Sequence, residues 1–415
     1  MSKVYQSRAG YVGGAVFLIV LLARLDVTVT SFSTLTLVLL VALIMIAYEL
    51  WARSCWSRRS GVSWLVCDPR PWPVLLRSAG IRFLTNGVAF SLVVWLVHHH
   101  PYFRADAWDF TRQWYLTLFA VYALFGYPYH LLTLRYLGAR RWDFHDYALL
   151  TLAGTRGAVR WLRGQSRGRR IVQARRVRQM ALVYLVGLFF LTLMSKFMMT
   201  EYSAFIRHFR LWIEAAPDAS AFYVYRQGYL TLYHLLFTLD VGIAVIGYSL
   251  ASRWLDNRTK SVESTLYGWA VCLLCYPPMN SGFTSQFISY RTGEPGLITS
   301  EPGLMVLMAL ILACFTVYVW ATLALGFRFS NLTNRGIVGI GPYRYFRHPS
   351  YTTKNLAWWL DNTHVWSSGW AVFALAVWSW IYVQRGMTEE RHLSRDPAYL
   401  EYCQRVPARF VPCAS

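Results

Sequence analysis

The residues with chemical capacity gather near the C-terminus. Gly341-Pro342-Tyr343-Arg344-Tyr345-Phe346-Arg347-His348-Pro349-Ser350-Tyr351 is polar, aromatic and turn-forming, yet it lies between two strongly apolar segments. Pro349 disfavours helical geometry at His348 and itself suits the first turn of a helix. The stretch therefore predicts a bend presenting His348, the Tyr343 ring and free backbone amides at a helix N-terminus. Downstream come Arg385, Glu389 and Glu390, then Tyr399-Leu400-Glu401-Tyr402-Cys403-Gln404-Arg405-Val406-Pro407. Rings such as Tyr343, Tyr345 and Tyr351 can hold a cation on their faces, at about 0.5–2 kcal/mol each. Arg385 can bind a carboxylate bidentately, and Glu389 can take hydroxyls, an amino group or a positive charge. These two lie one helical turn apart on one face. The plain alternative is an ion pair ending a helix, worth about 0.3–0.5 kcal/mol. A carboxylate nucleophile needs no general base. An amine needs one, and His348 and Glu390 are the nearby candidates.

What must position these residues is a membrane body. Apolar residues make up 56% of the chain and charged residues 15%, and several windows of about twenty residues carry almost no charge. The expected fold class is all-α, a polytopic integral membrane protein of about eight spans: roughly 10–25, 33–52, 80–98, 114–136, 180–199, 227–251, 264–281 and 303–326. The first run has no small-residue cleavage site after it and is expected to be retained. Two further runs, 353–365 and 367–384, follow the motif. The first is short and contains Asp361 and Asn362, so a helical hairpin returning to the same side is expected. The chain divides into an N-terminal multi-span body, 1–300, and a C-terminal module, 301–415. Loop 53–79 holds five Arg against Asp68, and segment 137–179 holds eleven Arg against Asp143 and Asp146. Strict alternation then places both on the cytoplasmic side, with 252–263, 327–352 and the C-terminus. The expectation is a multi-pass protein of an inner or plasma membrane with its module facing the cytoplasm.

The net charge of +21 invites a nucleic-acid partner. The basic residues fall in alternate loops, however, and no nucleic-acid motif accompanies them, so none is expected. Segment 144–178 mixes apolar residues with Arg and reads either as an interfacial helix on anionic headgroups or as an ordinary positive-inside loop. Gly336, Gly339 and Gly341 have neither the order nor the strand context of a dinucleotide-binding turn. Cys272 and Cys275 sit in an apolar helix without a partner pair, and His98-His99-His100 ends a span, so no metal site is expected. Asp240, with His234 nearby, is an ionisable group inside a span, either functional or a helix–helix hydrogen bond.

Gly341-x-Tyr343-x-x-x-Arg347-His348-Pro349-x-Tyr351, Arg385-x-x-x-Glu389-Glu390 and Tyr399-x-x-Tyr402-x-x-x-Val406-Pro407 together resemble the isoprenylcysteine carboxyl methyltransferase family, over about residues 326–412. Its wider relatives include membrane phospholipid methyltransferases. The resemblance implies a membrane methyltransferase using S-adenosylmethionine, with cofactor contacts from Arg335, Gly336, Ile337, Val338, Tyr343, His348, Pro349, Ser350, Tyr351 and Glu389. It implies catalytic roles for Arg385, Glu389 and His348, with Arg385 matching the arginine associated with the substrate carboxylate. Arg335 stands where a His can occur, and the segment from Glu390 to Tyr399 is shorter than in eukaryotic members. The implied reaction is carboxyl O-methylation of a lipid-like or prenylated acceptor drawn from the bilayer, among membrane lipids. N-methylation of an amino-lipid is the alternative within the class. Tyr402-Cys403-Gln404-Arg405-Val406-Pro407 and Pro412 also resemble the tail of sterol reductases, leaving an NADPH-dependent double-bond reductase as the rival, against which the Glu389-Glu390 pair stands.

Overall fold

The computed structural model describes residues 5–26, 28–138, 170–290 and 296–411. Long uncharged windows can satisfy their backbone groups in lipid only as helices, and helices dominate. In chain order they are α1 (Ala9–Leu22), α2 (Ser31–Ser60), α3 (Trp72–His99), α4 (Asp109–Leu137), α5 (Arg170–Ile213), α6 (Ala221–Ser249), α7 (Leu266–Leu273), α8 (Glu301–Leu325), α9 (Pro349–Asp361), α10 (Gly369–Leu393) and α11 (Pro397–Arg405). Boundaries follow local chemistry. Thr30 and Ser33 form a capping box that starts α2, and Gly61, at φ 68°, ends it.

Six helices among the described residues are long and apolar enough to cross a membrane: Ser31–Ser60, Trp72–His99, Asp106–Leu137, Arg176–Ile213, Ala221–Ser249 and Glu301–Arg328. Two of the eight expected runs do not form helices of that length. The run 264–281 forms only the eight-residue α7, because Pro277 and Pro278 cannot supply the amides that a continuing helix needs. The first run forms α1, whose 14 residues fall short of the roughly 20 that a span requires. The basic segment 144–178 lies mostly outside the described residues.

The core of the body is one apolar cluster joining α1, α2, α4, α5 and α6 through fully buried Phe17, Val41, Trp114, Phe190 and Ile246. After the central motif, α9 and α10 form the hairpin; α9 packs on α8 and on α10. A second cluster beneath the hairpin contains Cys275, Leu375, Trp378 and Tyr382. A two-residue antiparallel pairing, β1 (Ser261–Val262) with β2 (Thr333–Asn334), fastens the loop after α6 to the segment before the motif. The amides of Lys260 and Glu263 extend it, donating to the carbonyls of Asn334 and Leu332 at 2.7 and 2.8 Å. Body and module are therefore stitched together beside the motif.

Candidate active site

The bend forms where the proline predicts it. Gly341 opens a short 3₁₀ turn at φ 60°, and a Cβ there would stand 2.4 Å from the Tyr11 hydroxyl. Pro349 occupies the first turn of α9, with His348 (φ −123°, ψ 55°) at its N-cap. The C-terminal tail lies along this bend. The amides of Arg347 and His348 donate to the carbonyls of Ala408 and Arg409, at 3.0 and 2.9 Å. The Tyr402 hydroxyl of α11 donates to the Tyr343 carbonyl at 2.7 Å.

His348 is buried, its ring stacked between Tyr351 and Phe410 with centroids 5.5 and 5.0 Å away. Its Nε2 lies 3.1 Å from Glu390 Oε1. Glu390 also meets Arg347 Nε at 3.3 Å and Arg409 Nε at 3.2 Å. Burial pushes the Glu390 carboxyl up, but the His348 hydrogen bond and the charges of His348, Arg347 and Arg409 outweigh it and hold the group below its ordinary range. Glu390 is thus an ionised hub joining the bend, α10 and the tail. Arg347 completes the knot by donating to Cys403 Sγ and the Pro407 carbonyl.

One face of α10 turns Arg385 and Glu389 into a small pocket beneath the bend, with a cavity volume of about 90 Å³. Arg385 is buried. It donates to Asn331 Oδ1 and, at 3.2 Å, to the Tyr276 hydroxyl. Its guanidinium carbon lies 5.2, 5.0 and 5.8 Å from the ring centroids of Tyr276, Tyr351 and Tyr382. Glu389 accepts from the Tyr351 hydroxyl at 2.7 Å. Tyr343, Ser350 and His348 complete the expected members of this wall. The resemblance named all six of these residues, and helical spacing set Arg385 and Glu389 on one face.

Other expected contacts stand elsewhere. Arg335 is buried with its guanidinium donating to the carbonyls of Gly247, Leu250, Phe327 and Phe329, and burial lowers its pKa to about 10. It borders a neighbouring cleft, not this pocket. Gly336, at φ 114°, sits against the Arg328 side chain. Val338 packs with Ala324 and Ile340, and Ile337 with the Tyr399 and Tyr402 rings. Pro349 is buried in the first turn of α9.

Sequence reasoning overlooked Asn331, Tyr276, Tyr382 and Lys354, which also line the pocket. Only Lys354 carried a signal, as a lone cation in an apolar run. Its Nζ lies 5.2 Å from the Tyr318 ring centroid and 5.4 Å from that of Trp358. Tyr318 and Thr322 also donate to Asp240, at 3.0 and 2.5 Å, so the intramembrane carboxylate joins α6 to α8. His234 pairs instead with Glu201, at 2.8 Å. His98 and His99 bond carbonyls four residues back, and among the described residues no cluster fit for a metal ion occurs.

Residues 304–395 match the isoprenylcysteine carboxyl methyltransferase (ICMT) family. The match covers less than a quarter of the 415 residues. It begins within α8, earlier than the motif suggests, and stops before the tyrosine-rich α11. Every ICMT-matched helix, α8, α9 and α10, contributes to the pocket wall. With six apolar helices, the match supports a multi-pass membrane methyltransferase. No curated protein and no solved structure matches the chain.

Proposed function

We propose that the protein is an S-adenosylmethionine-dependent methyltransferase that O-methylates the carboxylate of a lipid-like or prenylated acceptor, from a module facing the cytoplasm. The observation that carries this reading is the pocket that joins Arg385, Glu389, His348, Tyr343, Ser350 and Tyr351 inside the ICMT-matched segment. Its donor set fits a cofactor of this kind: a carboxylate for hydroxyl or amino groups, hydroxyls at Ser350 and Tyr343, and aromatic walls for a cation. S-adenosylmethionine, when bound, supplies a methyl group on a sulfonium that takes back an electron pair as the carbon–sulfur bond breaks.

The chain's own groups then have distinct tasks. Glu389 balances positive charge on the cofactor side. Arg385, placed among three tyrosine rings, presents its remaining donors to the acceptor carboxylate. Three lining residues are cations, Arg347, Lys354 and Arg385, against the single lining carboxylate of Glu389. Arg347 is already paired with Glu390, so Lys354 and Arg385 leave a positive field suited to an anionic nucleophile. His348 and Glu390 are paired with each other, which favours a reaction without a general base over amine methylation. Positioning and charge in a dry pocket then supply the acceleration.

The test is a thermal-shift titration of the detergent-purified protein with S-adenosylmethionine, its demethylated product and NADPH. Binding to the native state raises the midpoint by mass action. Stabilisation by the first two, lost in Glu389→Gln, is expected; stabilisation by NADPH alone overturns the reading in favour of a reductase.

A further inference from the structure

A substantial open space lies in the N-terminal body, mostly outside the ICMT-matched segment. Two adjoining clefts with room of about 410 and 290 Å³ run among α3, α4 and α5 and share Asn86, Phe90, Tyr122, Leu191, Ser249 and Ala251. Their walls are mainly apolar and aromatic, with Leu118, Val121 and Phe125 on one side and Val183, Val186 and Leu188 on the other. Arg82 and Arg258 border the outer cleft. The inner cleft ends at Ser330, Thr333 and Arg335.

That end is the back of the candidate active site. Ser330 borders the inner cleft, the Arg385 pocket, and a small recess that Arg385 and Glu389 also line. One wall residue on each side is directly bonded to the other: the Asn331 amide donates to the Tyr248 hydroxyl at 2.7 Å. Tyr248 lines the inner cleft, and Asn331 holds Arg385. The partition is thin, and the Ser330 and Thr333 hydroxyls lie 2.6 Å apart in it.

We propose that the body is the acceptor-holding part of the enzyme: the apolar tail of a long-chain, carboxylate-headed amphiphile lies in this cleft, and its head reaches Arg385 past Ser330 and Asn331. The proposal rests on the methyltransferase reading and adds to it the location of the acceptor and a role for residues 1–300. An apolar chain buried along aromatic walls gains free energy with each methylene removed from water. Arg385, across the Ser330–Asn331 wall from one end of the apolar cleft, selects the anionic-headed amphiphile over a neutral hydrocarbon. The inner cleft ends at a wall, Ser330 and Asn331, that also lines the Arg385 pocket.

Gly187 gives a clean probe. It lies inside α5 on the inner cleft, and a Cβ added there meets nothing within 4 Å. Helix propensity favours the replacement, so Gly187→Phe fills the cleft without disturbing backbone. The experiment labels the full-length, detergent-purified protein with N-acetyl-S-farnesylcysteine carrying a diazirine on its terminal isoprene unit, and maps the label by peptide mass spectrometry. The expected result is label on the α3 and α5 peptides containing Phe90 and Leu191, displaced by the untagged compound. In Gly187→Phe it falls at least tenfold, while the S-adenosylmethionine-induced thermal shift is unchanged. Label confined to outward-facing helix surfaces, or unaffected by Gly187→Phe, overturns the proposal and leaves the methyltransferase reading standing. Loss of cofactor stabilisation in the unmodified protein overturns that reading instead.

Discussion

Replacing Arg385 by Lys tests the geometry of the pocket more sharply than removing it. Lysine keeps the positive charge but loses the planar fork and its stacking on three rings. In the structure the guanidinium donates to Asn331 and to the Tyr276 hydroxyl while lying 5.0–5.8 Å from the centroids of Tyr276, Tyr351 and Tyr382. A charge-assisted hydrogen bond contributes about 1.5–3 kcal/mol. Losing one arm of a bidentate contact to the acceptor carboxylate therefore costs roughly 1.5–3 kcal/mol of transition-state binding, or about 10- to 150-fold in kcat/KM. The cofactor side, centred on Glu389 and Tyr343, is left in place. The assay is transfer of radiolabelled methyl to a prenylated cysteine carboxylate, with acceptor and cofactor varied separately. The expected outcome is a fall in kcat/KM for the acceptor with little change in cofactor KM. An equal loss toward both, or none toward the acceptor, refutes the placement of Arg385 on the acceptor carboxylate.

Three further outcomes follow from the same geometry. Glu389→Gln removes the pocket's one lining carboxylate and should weaken S-adenosylmethionine binding by about 1–3 kcal/mol, read by calorimetry, because a charged hydrogen-bond partner becomes neutral. Glu390→Gln leaves Arg347, His348 and Arg409 without their shared anion, and breaking such a buried pair should cost about 3–5 kcal/mol of stability. Its native carboxyl is held low, so this stability is present above the unfolded carboxyl pKa of about 4.3 and is lost as pH falls through the lower folded value. Acid-induced unfolding of Glu390→Gln, followed by circular dichroism, should accordingly show a shallower pH dependence than the parent. Gly336→Ala should destabilise by more than about 1 kcal/mol in a thermal melt, because a φ of 114° strains any residue with a Cβ.

Much of the fold was legible because lipid leaves few options for an apolar chain. The bend was legible as well, since Pro349 constrains both itself and His348, and so was the shared face of Arg385 and Glu389, which helical periodicity sets. What escaped was tertiary. Glu390 reads like a twin of Glu389, and only the meeting of residues 347, 348 and 409 makes it an ion-pair hub. Asn331 and Tyr276 reach Arg385 because the β1–β2 pairing and the short α7 bring their loops inward. Arg335 stands beside the motif in sequence, but four carbonyls draw it behind the pocket. The run 264–281 was misassigned by hydropathy, which counts apolar side chains without weighing the two prolines that stop the helix.

The most direct test of the central claim is the chemical lability of the transferred group. Membranes containing the protein are incubated with methyl-labelled S-adenosylmethionine and a prenylated cysteine carboxylate, and the product is treated with alkali. Release of volatile labelled methanol, dependent on Arg385, is the predicted result, because a methyl ester hydrolyses in base. Base-stable label would mean amine methylation, and no transfer beside NADPH-dependent reduction of an isoprenoid double bond would contradict the account altogether.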